Sequence, residues 1–260
     1  MSFAHVNGIQ LYYETHGEGP ALVFAHGGLG NHLSWWQQIA EFSRSFKCVT
    51  FDHRGFGFSR DAEEGGGPTL FPDDLRALLD HLEIQRAALV GQSMGGWTVL
   101  GFASAYPERT RALVLCDTAA GVEGLGPRVD NRPRPREDSG MAAISRQALA
   151  RDFAEREPAM NFLYHQVSAL NVHLEPATLR KLLSVKNRVE PVVEHRVPTL
   201  IVAGEADEMT PPPVMEALAR HFPHARLAKV AGAGHSVYWE KPAEFNALLK
   251  EFLDAALALG

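Results

Sequence analysis

The chain is 260 residues long, 45% hydrophobic and 22% charged, with a formal net charge of −6. That length accommodates one α/β domain with an insertion, and the mildly acidic balance offers no electrostatic footprint for nucleic acid. No apolar run is long enough to cross a bilayer, and the N-terminus, Met-Ser-Phe-Ala-His-Val-Asn-Gly, has no basic stretch leading into an apolar one, so neither a membrane span nor a secretory leader is expected. Cys48 and Cys116 fall in apolar strand-like runs and read as core thiols of a cytoplasmic protein.

Residues 3–6 and 9–14 flank Asn7-Gly8, a hairpin signal, so two antiparallel strands are expected first. Residues 21–25 form a continuous apolar strand ending in His26-Gly27-Gly28-Leu29-Gly30, a loop able to bring a backbone N–H close to a substrate. An amphipathic segment, 34–42, precedes the apolar strand 48–51. That strand runs into Asp52-His53-Arg54-Gly55-Phe56-Gly57-Phe58-Ser59, a compact turn that Arg54 is expected to hold through carboxylate or carbonyl contacts. Leu75, Leu78, Leu79 and Leu82 recur at i, i+3, i+4 and i+7, predicting a core-facing helix over 72–82.

Residues 87–90 read as a buried strand, Gly91-Gln92-Ser93-Met94-Gly95 breaks it sharply, and an apolar helix is expected from Gly96 to Tyr106. A further strand covers 112–116. This alternation predicts a mostly parallel sheet with helices on both faces. Residues 121–197 interrupt it, beginning rich in Gly, Pro and charge and continuing with helical patterns over 141–155, 159–173 and 176–188. So long an insertion exceeds an ordinary connection and reads as a helical cap over the carboxyl ends of the strands, between core segments 1–120 and 198–260. The eight-stranded sheet is completed by strands 199–203 and 225–230 around helix 213–221, and helix 242–259 closes the chain.

The 91–95 turn carries the chemistry. A serine at the apex of a strand–turn–helix is held in a sparsely populated conformation that costs on the order of 1–3 kcal/mol. Gly91 and Gly95 lack the Cβ atoms that would collide as the helix folds back, and the helix N-terminus beneath favours developing negative charge. A serine hydroxyl is a weak nucleophile unless a base lies within hydrogen-bond reach, and that base needs a group to fix its tautomer. His235, in a glycine-flanked loop after the last strand, is the candidate base, and Asp207, after the preceding strand, the candidate acid.

Through H-G-G-L-G (26–30), D-H-R-G-F-G-F-S (52–59), G-Q-S-M-G-G (91–96), G-E-A-D-E-M-T-P (204–211) and G-A-G-H-S-V-Y-W-E-K-P (232–242), the chain resembles the α/β-hydrolase superfamily along nearly its whole length. The resemblance implies the α/β-hydrolase fold with a cap after strand 6, Ser93 as nucleophile, Asp207 as acid and His235 as base. It also implies an oxyanion hole from the Gly28 and Met94 N–H groups, and no cofactor. Some members carry the acid after the strand at 112–116, which makes Asp117 the alternative. S-M-G-G with L-C-D-T-A-A-G (115–121) is similar to 3-oxoadipate enol-lactonases, although Asp117 stands where those tend to have Asn. S-M-G-G is also found in meta-cleavage-product C–C hydrolases and carboxylesterases.

The expected reaction is hydrolysis of a carboxylic ester or a lactone, enol-lactones included, through an acyl-enzyme, with C–C cleavage of vinylogous diketones as the alternative. Leu29, Trp36, Met94, Leu125, Val237 and Tyr238 suggest an apolar substrate pocket. Arg128, Arg132, Arg134 and Arg136 form either a solvated charged loop or an entrance for an anionic substrate. His53 and His81 lack paired ligand spacing, so no metal is expected. The partner is a small molecule bearing a carbonyl, without nucleic acid or membrane; a homo-oligomer is compatible with the sequence.

Overall fold

The computed structural model describes residues 2–62, 65–125 and 147–258. β1 (Ser2–Val6) and β2 (Ile9–His16) pair antiparallel across Asn7 and Gly8, both at positive φ as a tight hairpin turn requires. The next strands are β3 (Ala21–Ala25), β4 (Lys47–Phe51), β5 (Ala87–Gln92), β6 (Thr110–Cys116), β7 (Thr199–Gly204) and β8 (Arg226–Val230). The eight strands form one sheet in the order β1-β2-β4-β3-β5-β6-β7-β8, parallel from β4 to β8.

The chain winds outward from β3 to β4 and then returns to place β5 on the other side of β3. The sheet therefore has its switch point between β3 and β5, and the crevice beyond their carboxyl ends is where such sheets bind ligands. The His26–Gly30 loop and Ser93 lie there.

Period-two alternation divides the strand side chains between two cores. Val23, Leu89, Leu113, Leu115 and Ile201 face one, covered by Leu75, Leu78 and Leu79 of α2 (Phe71–His81), Val99 and Phe102 of α3 (Met94–Ala105), and Met215 and Leu218 from Pro212–Ala219. Leu22, Phe24, Val90, Val114 and Val202 face the other, covered by Phe42 of α1 (Trp36–Phe42) and by Phe245, Leu249 and Leu253 from Pro242–Ala258. Both cysteines are buried, unpaired thiols.

Between β6 and β7 the described residues carry four helices: α4 (Phe153–Arg156), α5 (Pro158–Ala169), α6 (Pro176–Leu182) and α7 (Glu190–Glu194). Then come α8 (Pro212–Ala219), α9 (Val237–Glu240) and α10 (Pro242–Ala258). The helix expected over 176–188 stops at Leu182, and five residues on Asn187 bonds outside that segment: its N–H donates to Gly121 O (3.0 Å) and its Nδ2 to Trp97 O (2.9 Å) and Ala120 O (2.8 Å). The helix expected over 159–173 ends at Ala169; of the stretch expected as helix over 141–155, residues 141–146 lie outside the described residues, and among 148–155 only the start of α4 is helical. The helix after Ser93 begins at Met94 rather than Gly96, so the reversal is concentrated in one residue. Among the described residues no helix is long and apolar enough to cross a membrane.

Arg54 is buried within its turn as a structural clamp. Its Nε and Nη2 engage both oxygens of buried Asp74 at 2.5 and 2.6 Å, while Nη1 reaches Asp61 at 3.0 Å.

Candidate active site

Ser93 sits between β5 and α3 at φ 49°, ψ −117°, a region that non-glycine residues adopt only when their surroundings impose it. Its N–H donates to Cys116 O (3.0 Å), and its carbonyl accepts from Gly96 N (2.9 Å) and Thr118 Oγ1 (2.7 Å). The glycines are there for space: a Cβ on Gly91 would lie 2.5 Å from Gly95 O, and one on Gly95 would overlap Ala25 O at the end of β3. Packing at the elbow thus involves a neighbouring strand as well as the helix folding back.

His235 Nε2 lies 2.8 Å from Ser93 Oγ, and His235 Nδ1 lies 2.8 Å from Asp207 Oδ2. This pairing places the imidazole proton on Nδ1 and leaves Nε2 to accept from the serine hydroxyl. Asp207 is fixed in turn, because its Oδ1 accepts from the N–H groups of Met209 (2.7 Å) and Thr210 (2.9 Å). Burial alone would lower the His235 pKa, but the Asp207 charge and hydrogen bond outweigh it and hold the imidazole above its ordinary 6.5.

Asp117 is completely buried and has a different set of partners. Its Oδ1 accepts from Gly204 N (2.8 Å) and its Oδ2 from Val237 N (3.3 Å), so it braces the loops bearing Asp207 and His235 through their backbones. Burial, reinforced by the neighbouring Asp207 charge, pushes it up to about 8. Like Ser93, it sits at positive φ.

Gly28 lies in the loop after β3, and the peptide preceding it is tightly held. Gly27 O accepts from Gly30 N (3.0 Å) and His26 Nδ1 (2.8 Å). Because a trans peptide is planar, fixing the Gly27 carbonyl also fixes the direction of the Gly28 N–H. Met94 is the first residue of α3, where backbone N–H groups lack partners a turn earlier. Both amides belong to segments at the switch point.

The five residues Leu29, Trp36, Leu125, Val237 and Tyr238 are not brought together as one pocket wall. Trp36 is 44% exposed beside Trp239, whereas Leu125 packs on the core under α2 and α3. Val237 and Tyr238 belong to the opposite core, with the Tyr238 ring 4.3 Å from that of Trp35, and Leu29 is buried in its loop. Met94 instead gathers with Phe56, Phe71 and Leu182, against which Trp97, Leu174 and Leu179 pack. A Cβ built on Gly28 would meet Leu179 Cδ2 at 2.8 Å, which puts this apolar cluster directly against the Gly28 loop. Arg128, Arg132, Arg134 and Arg136 lie outside the described residues.

Three further polar residues brace the site. Gln92 Nε2 donates to His235 O (2.6 Å), tying the serine strand to the histidine loop. Buried Glu240 accepts from Gly234 N (3.0 Å) and Ala150 N (3.0 Å), joining that loop to the β6–β7 insertion. Asn171 joins the insertion to the Gly28 loop. The sequence signal for Gln92 was a polar side chain at the end of an otherwise apolar run; Glu240, beside Lys241, and Asn171 gave none.

A serine on a strained strand–helix elbow, paired in one line with a histidine and an aspartate at the ends of later parallel strands, defines a hydrolase of the α/β class. Comparison with known proteins agrees: the alpha/beta hydrolase fold family matches residues 20–162 and 161–242, and the chain belongs to that family. It is 31% identical to 3-oxoadipate enol-lactonase 2 of Acinetobacter baylyi, over 94% of each chain. It is 29% identical to a 2-hydroxy-6-oxononadienedioate/2-hydroxy-6-oxononatrienedioate hydrolase of Burkholderia vietnamiensis, over 94% of this chain and 91% of the relative. Among solved structures, a thermophilic esterase from Thermogutta terrifontis superposes with a TM-score of 0.81 at 26% identity, covering 95% of this chain and 94% of the other.

Proposed function

We propose that this chain hydrolyses a carboxylic ester or lactone through an acyl-enzyme on Ser93. The observation carrying the reading is the continuous pair of 2.8 Å contacts from Ser93 Oγ through the His235 ring to Asp207. His235 Nε2 takes the hydroxyl proton as Ser93 attacks the substrate carbonyl, and Asp207 stabilises the imidazolium that forms. The Gly28 and Met94 N–H groups receive the oxyanion, each contributing about 3–4 kcal/mol at the transition state. His235 then protonates the leaving oxygen, and a water activated by the same nitrogen releases the acid. The β6–β7 insertion serves as the cap over this crevice, and the buried thiols of Cys48 and Cys116 fit a reducing cytoplasm.

The apolar cluster of Phe56, Phe71, Met94, Leu174, Leu179 and Leu182 beside the oxyanion loop suits an uncharged acyl group. Among the described residues this cluster carries no charged side chain, so we favour apolar esters and lactones as substrates. Steady-state kinetics on p-nitrophenyl esters of increasing chain length, an enol-lactone and a ring-fission dienone tests this. The reading predicts the highest kcat/KM on an uncharged acyl ester. Turnover of the dienone alone would assign the chain to C–C cleavage instead.

A further inference from the structure

Two asparagines cross between the β6–β7 insertion and the loop that follows β3. Asn31 Nδ2 donates to Val167 O of α5 (2.7 Å). In the opposite direction, Asn171, two residues beyond the end of α5, donates from Nδ2 to Leu29 O (3.0 Å) and Gly30 O (3.1 Å). Its Oδ1 accepts from Gly57 N (2.9 Å), so one amide group joins the insertion, the loop after β3 and the loop after β4.

The bonded carbonyls are adjacent to the peptide that matters. Gly30, whose carbonyl Asn171 holds, donates its own N–H to Gly27 O, and that carbonyl shares a planar unit with the Gly28 N–H. We propose that Asn171 is a positioning residue for the oxyanion step, aiming the Gly28 N–H only while the insertion is seated. Leu179, against Gly28, supplies the apolar half of the same contact. The proposal rests on the reading of Ser93 as nucleophile. Because an oxyanion donor acts more strongly on the transition state than on bound substrate, the signature of its misdirection is a loss in kcat and not in KM.

The test is steady-state kinetics of Asn171→Ala and Asn171→Asp on an ester that the wild-type chain hydrolyses, with thermal unfolding measured alongside. Asn171→Asp has the same shape and keeps the acceptor for Gly57 N–H, but it turns an oxygen toward the carbonyls of Leu29 and Gly30. Both variants are expected to lose about 10- to 100-fold in kcat, with KM within about 3-fold, as for a donor displaced by a fraction of an ångström. Should Asn171→Ala fail to fold, Asn171→Asp decides the matter. Wild-type kcat in Asn171→Asp, or a loss confined to KM, overturns the role of Asn171 alone. A wild-type chain inert toward every ester overturns this proposal together with the functional reading on which it rests.

Discussion

Two aspartates lie close to His235, and their hydrogen bonds give them different work. Asp207 meets the imidazole directly, whereas Asp117 bonds two backbone amides and is pushed up to about 8 by burial and the Asp207 charge. Asp207→Asn should lower kcat by about four orders of magnitude through the wrong histidine tautomer. Asp117→Asn should leave activity largely intact, and the two variants assayed side by side on one ester give the comparison. The reverse ranking would move the acid role to Asp117. The pH profile follows from the same geometry. His235 must be neutral to accept the serine proton, and its pKa is held above 6.5, so activity falls as the pH drops through a value above 6.5. The acid limb of kcat/KM should be centred there and should move downward in Asp207→Asn, which removes the largest raising influence while burial still lowers and the Asp117 and Glu240 charges still raise. At this scale Ser93, His235 and Asp207 were legible because glycines flank the serine and histidine and each residue follows an apolar strand. Asn171 was not, and the partner of Gln92 was not, since the residues these two side chains bond lie 142 and 143 residues away along the chain.

Strands were the easiest elements to read, because each buried parallel strand is a near-continuous apolar run. β3 falls at the expected residues, while β5 and β7 extend past the apolar run to the residues that set the catalytic turns. Helix ends were harder: within the stretch expected as helix over 176–188, Asn187 bonds to Trp97 and Ala120, partners that no local pattern announces. The loop after β4 illustrates a polar feature whose type, though not its partner, was readable. Arg54 was expected to clamp its turn, but Asp74 as the acceptor depends on how α2 packs. Both side chains are almost fully buried, so Arg54→Ala leaves a carboxylate uncompensated. Such a loss should cost about 3–5 kcal/mol, measurable as a fall in the urea midpoint. A change within about 0.5 kcal/mol, the range of ordinary surface substitutions, would mean that the pair does not stabilise the turn.

Across the whole molecule, one sheet separates two cores and brings the ends of β3, β5, β6, β7 and β8 to a single edge, so residues from distant parts of the chain converge in one crevice. The architecture was legible from alternation and length. The apolar cluster facing the Gly28 loop was not, because Leu174, Leu179 and Leu182 reach it only through the fold of the insertion. The account as a whole depends on Ser93 being an activated nucleophile. Treatment with a fluorophosphonate followed by intact mass and peptide mapping tests this most directly. The account predicts a single adduct on the peptide containing Ser93, absent in Ser93→Ala and strongly slowed in His235→Ala. An unmodified wild-type chain, or an adduct on another residue, would contradict it.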